Sequence, residues 1–465
     1  MAGGIRGDVA FARPQRQYEI SASYYVGDLG WCGQIRPLRV APSGAAHLHR
    51  AGRQPGRRPA AVRCAAPCGG LRPEHAGHAR ARLRLSALRG ALLALGLPAC
   101  TAGVRAAGTA CGPWPEWRDF RAQFVSADGR VVEHASERRQ TVSEAQAYAL
   151  LFAVVADDRA GFGKLLEWTQ NNLAAGDLAR HLPGWQWGAR DDGSYGPLDA
   201  NSATDADLWI AYALAQAGRA WQEPRYTALS HDVGAQVLRR STVDVPGFGL
   251  ALLPAPQGFG DADQGWRMNP SYVPLQVLRG LAAAHPDQRG VWRELADNAP
   301  RLLRAAAPRG IAPDWVRLDA RGQVDFDPSG TAIGGYDAIR VYLWLGLLDR
   351  ADPQRATLLQ LFEPMARTIE RNGRPPERID ARSGRVLAAE SPGAFSAAVA
   401  PWLEQAAPRA AERQWRRAVR LAPLDDEYYG RALQLFAQGW RSGRLRFDAD
   451  GGLLRQPVDC PGDAP

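Results

Sequence analysis

Apolar residues recur at the 3.6-residue spacing of α-helices over most of the chain between residues 113 and 465. In ten separate segments the positions i, i+3, i+4 and i+7, which share one helix face, are apolar. These segments are 143–156, 159–174, 205–221, 227–241, 273–284, 291–307, 337–348, 356–372, 395–406 and 426–443. A chain with so many amphipathic helices must bury their apolar faces against one another, which predicts an all-α fold.

Extended structure is sparse in the same region. The segment 245–254, VPGFGLALLP, is the best candidate for a strand. No Pro/Ser-rich linker divides 113–465, so we predict one all-α domain there. About a dozen helices in this length fit consecutive pairs closed into a toroid, and open stacked pairs fit the periodicity equally well.

The excess positive charge is confined to the N-terminal quarter of the chain. The 465 residues include 57 basic and 48 acidic ones, a net charge of +9. Residues 1–112 hold 16 arginines against 4 acidic residues, which leaves 41 basic and 44 acidic residues in 113–465. The body is therefore slightly acidic, and nucleic acid is not expected as its partner.

Residues 79–110 have the pattern of an export signal. Arginines precede a short apolar run at 90–99, and small residues at 108–110 offer a cleavage site. The run is too short to span a bilayer, so we expect no membrane-embedded segment there. Because such a signal belongs at the start of a chain, we interpret 1–78 as an extension foreign to the native mature protein, with a disordered basic tail as the alternative. The predicted mature domain is 111–465, in the periplasm or secreted.

Two cysteines remain in this predicted mature domain, Cys111 and Cys460, one near each end. An oxidising compartment permits one disulfide that joins the two ends of the domain. The alternative is a pair of free thiols, because a sequence does not supply the Cα separation that a disulfide requires.

Three carboxylates stand where predicted helices begin. Glu144 lies three residues after Thr141 and Asp205 three after Ser202, which is the spacing of a capping box. Asp337 opens a third predicted helix. Acidic residues in a first turn favour the helix dipole and need no other purpose. Three inner helices of a toroid would nonetheless bring three carboxylates to one cleft, and a pair of carboxylic acids is what hydrolysis of a glycosidic bond requires.

Other side chains near these carboxylates fit the same interpretation. Asp337 and Arg340 share a helix face at i and i+3, so the guanidinium is placed to hold a carboxylate ionised. Tryptophans in polar, Gly-rich loops offer flat apolar surfaces for sugar rings, although a packing role is the commoner one. No GxSxG, HExxH or P-loop motif occurs, and the histidines of the body are too widely spaced along the chain to suggest metal ligands. We therefore expect no metal site.

The sequence resembles glycoside hydrolase family 8. The segment 201–221, NSATDADLWIAYALAQAGRAW, matches the family signature built on A-[ST]-D-[AG]-D, and other segments match further landmarks in the family's order. These are TVSEAQAYA (141–149), WTQNNL (168–173), WRMNPSY (266–272), PDWVR (313–317), GYDAIRVYLW (335–344) and LQLFAQGW (433–440). The resemblance covers residues 111–460. It implies an (α/α)6 barrel that hydrolyses internal bonds of β-1,4-glucan with inversion and without a cofactor.

The resemblance also implies roles for single residues. Glu144 matches the general acid, Asp337 the general base, and Asp205 the carboxylate that binds and distorts the sugar at the cleavage point. Tyr336 and Arg340 match neighbours of the base. The further candidates for contacts with sugar are Tyr148, Trp185, Trp266 and Tyr272. Inversion requires room for a water molecule, so the carboxyls of Glu144 and Asp337 are expected on the order of 6.5–9.5 Å apart.

The chain departs from the family pattern beside the acid. Ala145 and Ala149 occupy positions where the family often has glycine, one directly after the acid and one after the following tyrosine. The two additional methyl groups leave the carboxylate intact, and we expect them to narrow the approach beside Glu144.

The resemblance further implies a substrate and a setting. The substrate is β-1,4-glucan, and the setting is an association with bacterial cellulose-synthesis machinery. Two alternatives keep the fold: hydrolysis of another β-1,4 glycan such as xylan or chitosan, and non-catalytic binding of glucan. The presence of Glu144, Asp205 and Asp337 together argues against non-catalytic binding, because binding alone does not need all three. A nucleic-acid-binding protein would depend entirely on residues 1–112.

Overall fold

Helices joined by short hairpins make up the part of the chain that the structure describes. This computed structural model describes residues 114–327, 332–421 and 427–454. Within these ranges there are thirteen α-helices, one 3-10 turn at Pro270–Tyr272 and fourteen strands. The helices are α1 (Pro115–Phe124), α2 (Ser143–Val155), α3 (Arg159–Leu173), α4 (Thr204–Trp221), α5 (Pro224–Arg240), α6 (Leu275–Ala284), α7 (Arg289–Ala306), α8 (Ile339–Leu347), α9 (Arg355–Leu361), α10 (Glu363–Asn372), α11 (Gly393–Ala406), α12 (Pro408–Arg420) and α13 (Tyr428–Arg441).

The strands are two to eight residues long and pair only in antiparallel fashion within the described ranges. They are β1 (Thr141–Val142), β2 (Gly184–Ala189), β3 (Tyr195–Ser202), β4 (Thr242–Val245), β5 (Gly249–Leu252), β6 (Gly260–Asp261), β7 (Gly265–Met268), β8 (Val316–Leu318), β9 (Val324–Phe326), β10 (Ile333–Gly334), β11 (Arg378–Asp380), β12 (Val386–Ala388), β13 (Arg446–Phe447) and β14 (Leu453–Leu454). The sheets that they form are β1-β2-β3, β6-β7-β8-β9, β10-β11-β12, β4-β5 and β13-β14. The predicted extended segment 245–254 supplies the turn of the β4-β5 hairpin and all of β5.

Most of the predicted helices are confirmed. The segment 356–372 is the exception, because it forms two helices, α9 and α10, that meet at Phe362. Pro364 stands in the first turn of α10, where its missing N–H and fixed φ break the hydrogen-bond pattern of a continuous helix. The periodicity alone did not reveal α1 and α12. In α12 three of the buried residues are alanines and many of the other residues are arginines, so the sequence shows no clear apolar face.

Consecutive helices pack as pairs, and alternate helices pack side by side. In the first half α3 packs on α2, α5 on α4 and α7 on α6, while α2 contacts α4 and α4 contacts α6. In the second half α12 packs on α11, and α11 lies between α8 and α13. The last helix, α13, returns to contact α2 and α8. The described residues all belong to one compact unit of the chain.

An aromatic cluster joins four of these helices. Tyr148 of α2, Trp209 of α4, Trp344 of α8 and Phe436 of α13 meet with ring centroids 5.0–6.3 Å apart. Edge-to-face pairs of this kind contribute about 0.5–1.5 kcal/mol each beyond their burial. The cluster therefore ties the helices α2, α4, α8 and α13 together from inside.

Gln146 fixes the start of α2 to its surroundings. Its Oε1 accepts a hydrogen bond from the N–H of Val131, and its Nε2 donates to Oγ1 of Thr169 on α3. Both bonds are buried, and a buried amide that lost them would leave polar groups unpaired. The glutamine of the TVSEAQAYA segment thus holds the first turn of α2 in place.

None of the helices in the described ranges is both long enough and apolar enough to cross a bilayer. Residues 1–78, the predicted export signal 79–110 and the cysteine pair Cys111 and Cys460 lie outside the described residues.

We expect Phe436→Ala to lower the free energy of unfolding by about 3–5 kcal/mol, because it removes a fully buried ring on which three helices converge. Unfolding in urea, followed by circular dichroism, measures the change. The control is Val419→Ala on the exposed face of α12, where we expect a change within about 0.5 kcal/mol. Equal effects of the two substitutions would contradict a central role for the aromatic cluster.

Candidate active site

The three carboxylates that the sequence analysis identified, those of Glu144, Asp205 and Asp337, line one cleft. It opens where α2, α4 and α8 begin, each directly after a short strand or a turn. Its lining consists of Val142, Ser143, Glu144, Trp185, Ala203, Asp205, Tyr272, Tyr336, Asp337, Arg340 and Tyr429. Residues from six separate parts of the sequence therefore meet in this cleft.

Glu144 and Asp205 occupy the first turns of α2 and α4, but neither belongs to a capping box. The residues that precede these helices are Val142 and Ala203, and neither caps its helix with a side chain. Thr141 instead donates its hydroxyl to the carbonyl of Val131. The capping-box interpretation is therefore wrong, and both carboxylates are free to face the cleft.

Asp337 lies just outside its helix. It belongs to the turn between β10 and α8, and α8 begins two residues later at Ile339. The prediction that Asp337 opens the helix is therefore wrong by two residues. Its side chain still shares a side with Arg340, because a hydrogen bond from the Arg340 N–H to the Asp337 carbonyl closes the turn at 3.1 Å.

Arg340 connects the three carboxylates. Its Nη2 donates to Oδ1 of Asp337 at 2.7 Å, and its Nη1 donates to Oδ2 of Asp205 at 3.2 Å and to Oε2 of Glu144. The guanidinium side chain is only 4% exposed. A buried cation of this kind requires acidic partners, and three carboxyl groups from three different elements contact it here.

Burial dominates the electrostatics of two of these acids. It raises the pKa of Asp205 to about 7, against the opposing effect of a hydrogen bond from the Ala206 N–H. Burial also raises the pKa of Asp337, and the neighbouring charges of Asp314 and Asp205 raise it further. The amide of Asn269 acts in the opposite direction on Asp337. Both acids therefore hold their protons to higher pH than an exposed aspartate does.

The second aspartate of the family signature has a different position. Asp207 is fully buried and is absent from the cleft lining. Burial raises its pKa well above the usual value. It therefore belongs to the interior of the fold and not to the surface that a ligand can reach.

Two tyrosines at the start of α13 belong to the site and were missed by the sequence analysis. The Tyr428 hydroxyl donates to Oε1 of Glu144 at 3.3 Å. The Tyr429 hydroxyl donates to the carbonyl of Tyr336 at 2.6 Å and so touches the turn that carries Asp337. Their only sequence signal was a pair of adjacent tyrosines near the beginning of the predicted helix 426–443.

The predicted sugar-contact residues divide into two groups. Trp185, Tyr272 and Tyr336 line the cleft. Tyr148 lies beneath it, 1% exposed, with its hydroxyl 3.5 Å from Nη1 of Arg340. Trp266 is 6% exposed in β7 and is not among the cleft-lining residues. Tyr148 and Trp266 therefore lie outside the cleft lining, and their direct contact with a sugar stays a prediction.

A second hollow continues the cleft on its Trp185 side. It shares Trp185, Ala203 and Tyr272 with the first and adds Phe259 and Trp315. The rings of Phe259 and Trp315 are stacked with centroids 5.8 Å apart, and Trp315 also contacts Tyr272 at 6.2 Å. The cleft thus extends along a row of aromatic rings.

The alanines beside the acid do not narrow the cleft. Ala145 is 1% exposed and Ala149 is fully buried, and both are absent from the cleft lining. Their methyl groups point into the packed interior around α2, so the expected constriction beside Glu144 is wrong.

We expect the stability of the protein to depend on the ionisation of Asp205. A pKa raised from 3.8 to about 7 means that the folded state holds a proton that the unfolded chain releases. The resulting stabilisation is present below about pH 4 and is lost as the pH rises to about 7, by at most about 4 kcal/mol. The measurement is urea unfolding of the wild type and Asp205→Asn from pH 4 to 8. The control is Asp244→Asn, at an exposed position. If the free energies of unfolding of the wild type and Asp205→Asn differ by the same amount at every pH, the assignment is contradicted.

The chain matches known proteins over most of its length. Residues 86–443 match the model of the glycosyl hydrolases family 8. An endoglucanase of Salmonella typhi is 43% identical over 348 residues, which are 75% of this chain and 92% of that protein. An endoglucanase of Escherichia coli K12 is 42% identical over 341 residues, 73% of this chain and 90% of that protein.

Solved structures agree with these relatives. The endo-1,4-D-glucanase of Vibrio fischeri ES114 is 40% identical and superposes with a TM-score of 0.71, over 74% of this chain and 100% of that one. The endo-β-1,4-glucanase CMCax of Acetobacter xylinum is 26% identical with a TM-score of 0.59, over 71% of this chain and 98% of that one. With the family model covering most of its residues, this chain belongs to glycoside hydrolase family 8.

Proposed function

We propose that this glycoside hydrolase is an endo-β-1,4-glucanase that cleaves internal bonds of cellulose chains with inversion at the anomeric carbon. The observation that carries the proposal is the buried Arg340 guanidinium, which contacts three carboxylates in an aromatic-lined cleft. Two carboxyl groups on one cleft supply the proton donor and the water-activating base that hydrolysis of a glycosidic bond needs. The endoglucanases of Salmonella typhi and Escherichia coli support the choice of substrate.

In this mechanism Asp337 is the general base. It accepts a proton from the water that attacks the anomeric carbon, and Arg340 stabilises its ionised form at 2.7 Å. Burial raises its pKa, which makes it a stronger base once it is ionised. Asp205 binds the sugar ring at the cleavage point from the opposite helix, α4.

Glu144 is the general acid that protonates the leaving oxygen. Glu144 contacts the Arg340 guanidinium in this structure, so in the reacting complex it must carry a proton and exchange this contact for the glycosidic oxygen. That proton passes to the leaving oxygen, and the proton of the attacking water passes to Asp337. The Tyr428 hydroxyl on the other oxygen of Glu144 keeps the carboxyl oriented during this exchange. Arg340 retains Asp337 and Asp205 as partners.

The row of aromatic rings supports action on a polymer. Trp185, Tyr272 and Trp315 offer successive flat surfaces along the two joined hollows. Sugar rings pair their apolar faces with such surfaces. A glucan chain that lies along this row also passes the carboxylates. Internal cleavage requires such a chain, with sugar units on both sides of the bond that is broken.

The same proposal extends to the fold and the location. We infer a closed (α/α)6 barrel with α2, α4, α6, α8, α11 and α13 as inner helices. Contacts from α2 to α4 to α6, and from α8 through α11 and α13 back to α2, support it. The export pattern in 79–110 supports a periplasmic or secreted enzyme. An association with cellulose-synthesis machinery is part of the proposal and is supported only by the resemblance.

We expect Asp337→Asn to lower the release of reducing ends from carboxymethylcellulose by about 10²–10⁴-fold, because it removes the base while keeping the shape of the side chain. Asp244→Asn on the exposed side of β4 should retain wild-type activity. If Asp337→Asn keeps its activity, the substrate assignment stands and the assignment of Asp337 as the general base is wrong. If the wild type does not cleave carboxymethylcellulose but cleaves xylan or chitosan, that glycan is the substrate. If it cleaves none of the three but binds glucan, the non-catalytic alternative is supported.

We expect Trp315→Ala to raise KM for carboxymethylcellulose about 5- to 10-fold with little change in kcat, because a stacking surface away from the carboxylates is lost. The matched control is Trp187→Ala, whose ring packs on Trp168 outside the cleft with centroids 5.2 Å apart. Steady-state kinetics separate the two constants. Equal KM values for Trp315→Ala and the wild type would show that the second hollow does not bind the substrate.

A further inference from the structure

The turn that carries Asp337 is held by a side chain from another part of the sequence. Oδ1 of Asp314 accepts a hydrogen bond from the N–H of Gly335 at 2.8 Å and another from the N–H of Ala338 at 2.7 Å. These two donors stand on either side of Tyr336 and Asp337. The backbone N–H of Asp314 also donates to the carbonyl of Ile333 at 2.7 Å. Asp314 thus contacts the chain just before, and at both ends of, the turn.

These bonds hold the backbone just before α8. The residue before the helix, Ala338, makes no side-chain cap, and the first three N–H groups of α8 bond to carbonyls of the turn itself. The N–H of Ala338 points instead to the Asp314 carboxylate, 24 residues upstream. The orientation at which α8 leaves the turn therefore depends on this side chain.

The turn also approaches the Asp314 segment too closely to move independently. A Cβ on Gly334 would lie 2.2 Å from the carbonyl oxygen of Ala312, and a Cβ on Gly335 would lie 3.3 Å from Oδ2 of Asp314. Only glycine permits the first of these approaches. The turn and the 312–314 segment are therefore in direct contact.

We propose that Asp314 is a positioning residue for the general base. Its carboxylate holds the Gly335–Ala338 turn so that Oδ1 of Asp337 stays against Nη2 of Arg340, at the place where the attacking water is activated. This inference rests on the proposed function, because it assigns Asp314 a purpose through Asp337. It also makes a claim about geometry that does not depend on activity.

Two substitutions separate geometry from charge. Asp314→Asn keeps an acceptor oxygen at the same distance from the backbone and removes the charge. Asp314→Glu keeps the charge and moves the acceptor by one methylene. Positioning predicts that kcat on carboxymethylcellulose stays within about threefold of wild type in Asp314→Asn and falls at least about tenfold in Asp314→Glu, with KM within about twofold in both.

Asp319 provides the matched control. Its Oδ1 also accepts two backbone N–H groups, those of Arg321 and Gln323 at 2.9 and 2.8 Å, in the β8–β9 hairpin away from the cleft. Asp319→Asn and Asp319→Glu should both keep wild-type kcat and KM. A wild-type kcat in Asp314→Glu would overturn the proposal. A larger loss in Asp314→Asn than in Asp314→Glu would assign Asp314 an electrostatic role and overturn positioning.

Crystal structures of the two Asp314 variants test the geometry without any reaction. We expect the 2.7 Å contact between Asp337 and Arg340 to persist in Asp314→Asn and to lengthen by about 0.5 Å or more in Asp314→Glu. An unmoved turn in Asp314→Glu would overturn the inference even in an enzyme with no activity on glucan. An active wild type with an active Asp337→Asn would instead overturn the proposed base and leave this structural result standing.

Discussion

The guanidinium of Arg340 is the interaction on which the arrangement of the cleft depends. It is nearly inaccessible to solvent, and moving an unpaired cation to such a place costs several kcal/mol. The contacts with Glu144, Asp205 and Asp337 offset this cost. Because the three acids come from α2, α4 and the turn before α8, the guanidinium holds the beginnings of these elements together.

The apolar layer below Arg340 strengthens this constraint. The Tyr148 hydroxyl lies 3.5 Å from Nη1 of Arg340, and the Tyr148 ring packs on the buried rings of Trp209, Trp344 and Phe436. Charges interact more strongly where water is excluded, so the same rings that join the helices also deepen the electrostatic coupling of the acids. The aromatic cluster and the charged cleft are therefore joined through Tyr148.

The sequence was a good guide wherever one face of a helix carried large apolar residues. The helices α2, α4 and α8 were located in this way, and so were the three acids at their starts. It failed where the signal was physical contact between distant segments. The near-complete burial of Tyr148 and Trp266 was not evident from their residue types, and Tyr428 joins the site because α13 returns to α2. Burial and long-range hydrogen bonds are properties of the folded chain, and periodicity does not encode them.

The hydrogen bond between Tyr428 and Glu144 spans 284 residues of sequence. It is made by the last of the helices in the described ranges, and it reaches one of the first. Contacts between residues so far apart in sequence form late in folding, because the long chain between them loses conformational entropy when they meet. During synthesis Glu144 is also translated long before Tyr428, its hydrogen-bond partner. A nascent chain carries Glu144, Asp205 and Asp337 without a finished site, so assembly of the site coincides with completion of the fold.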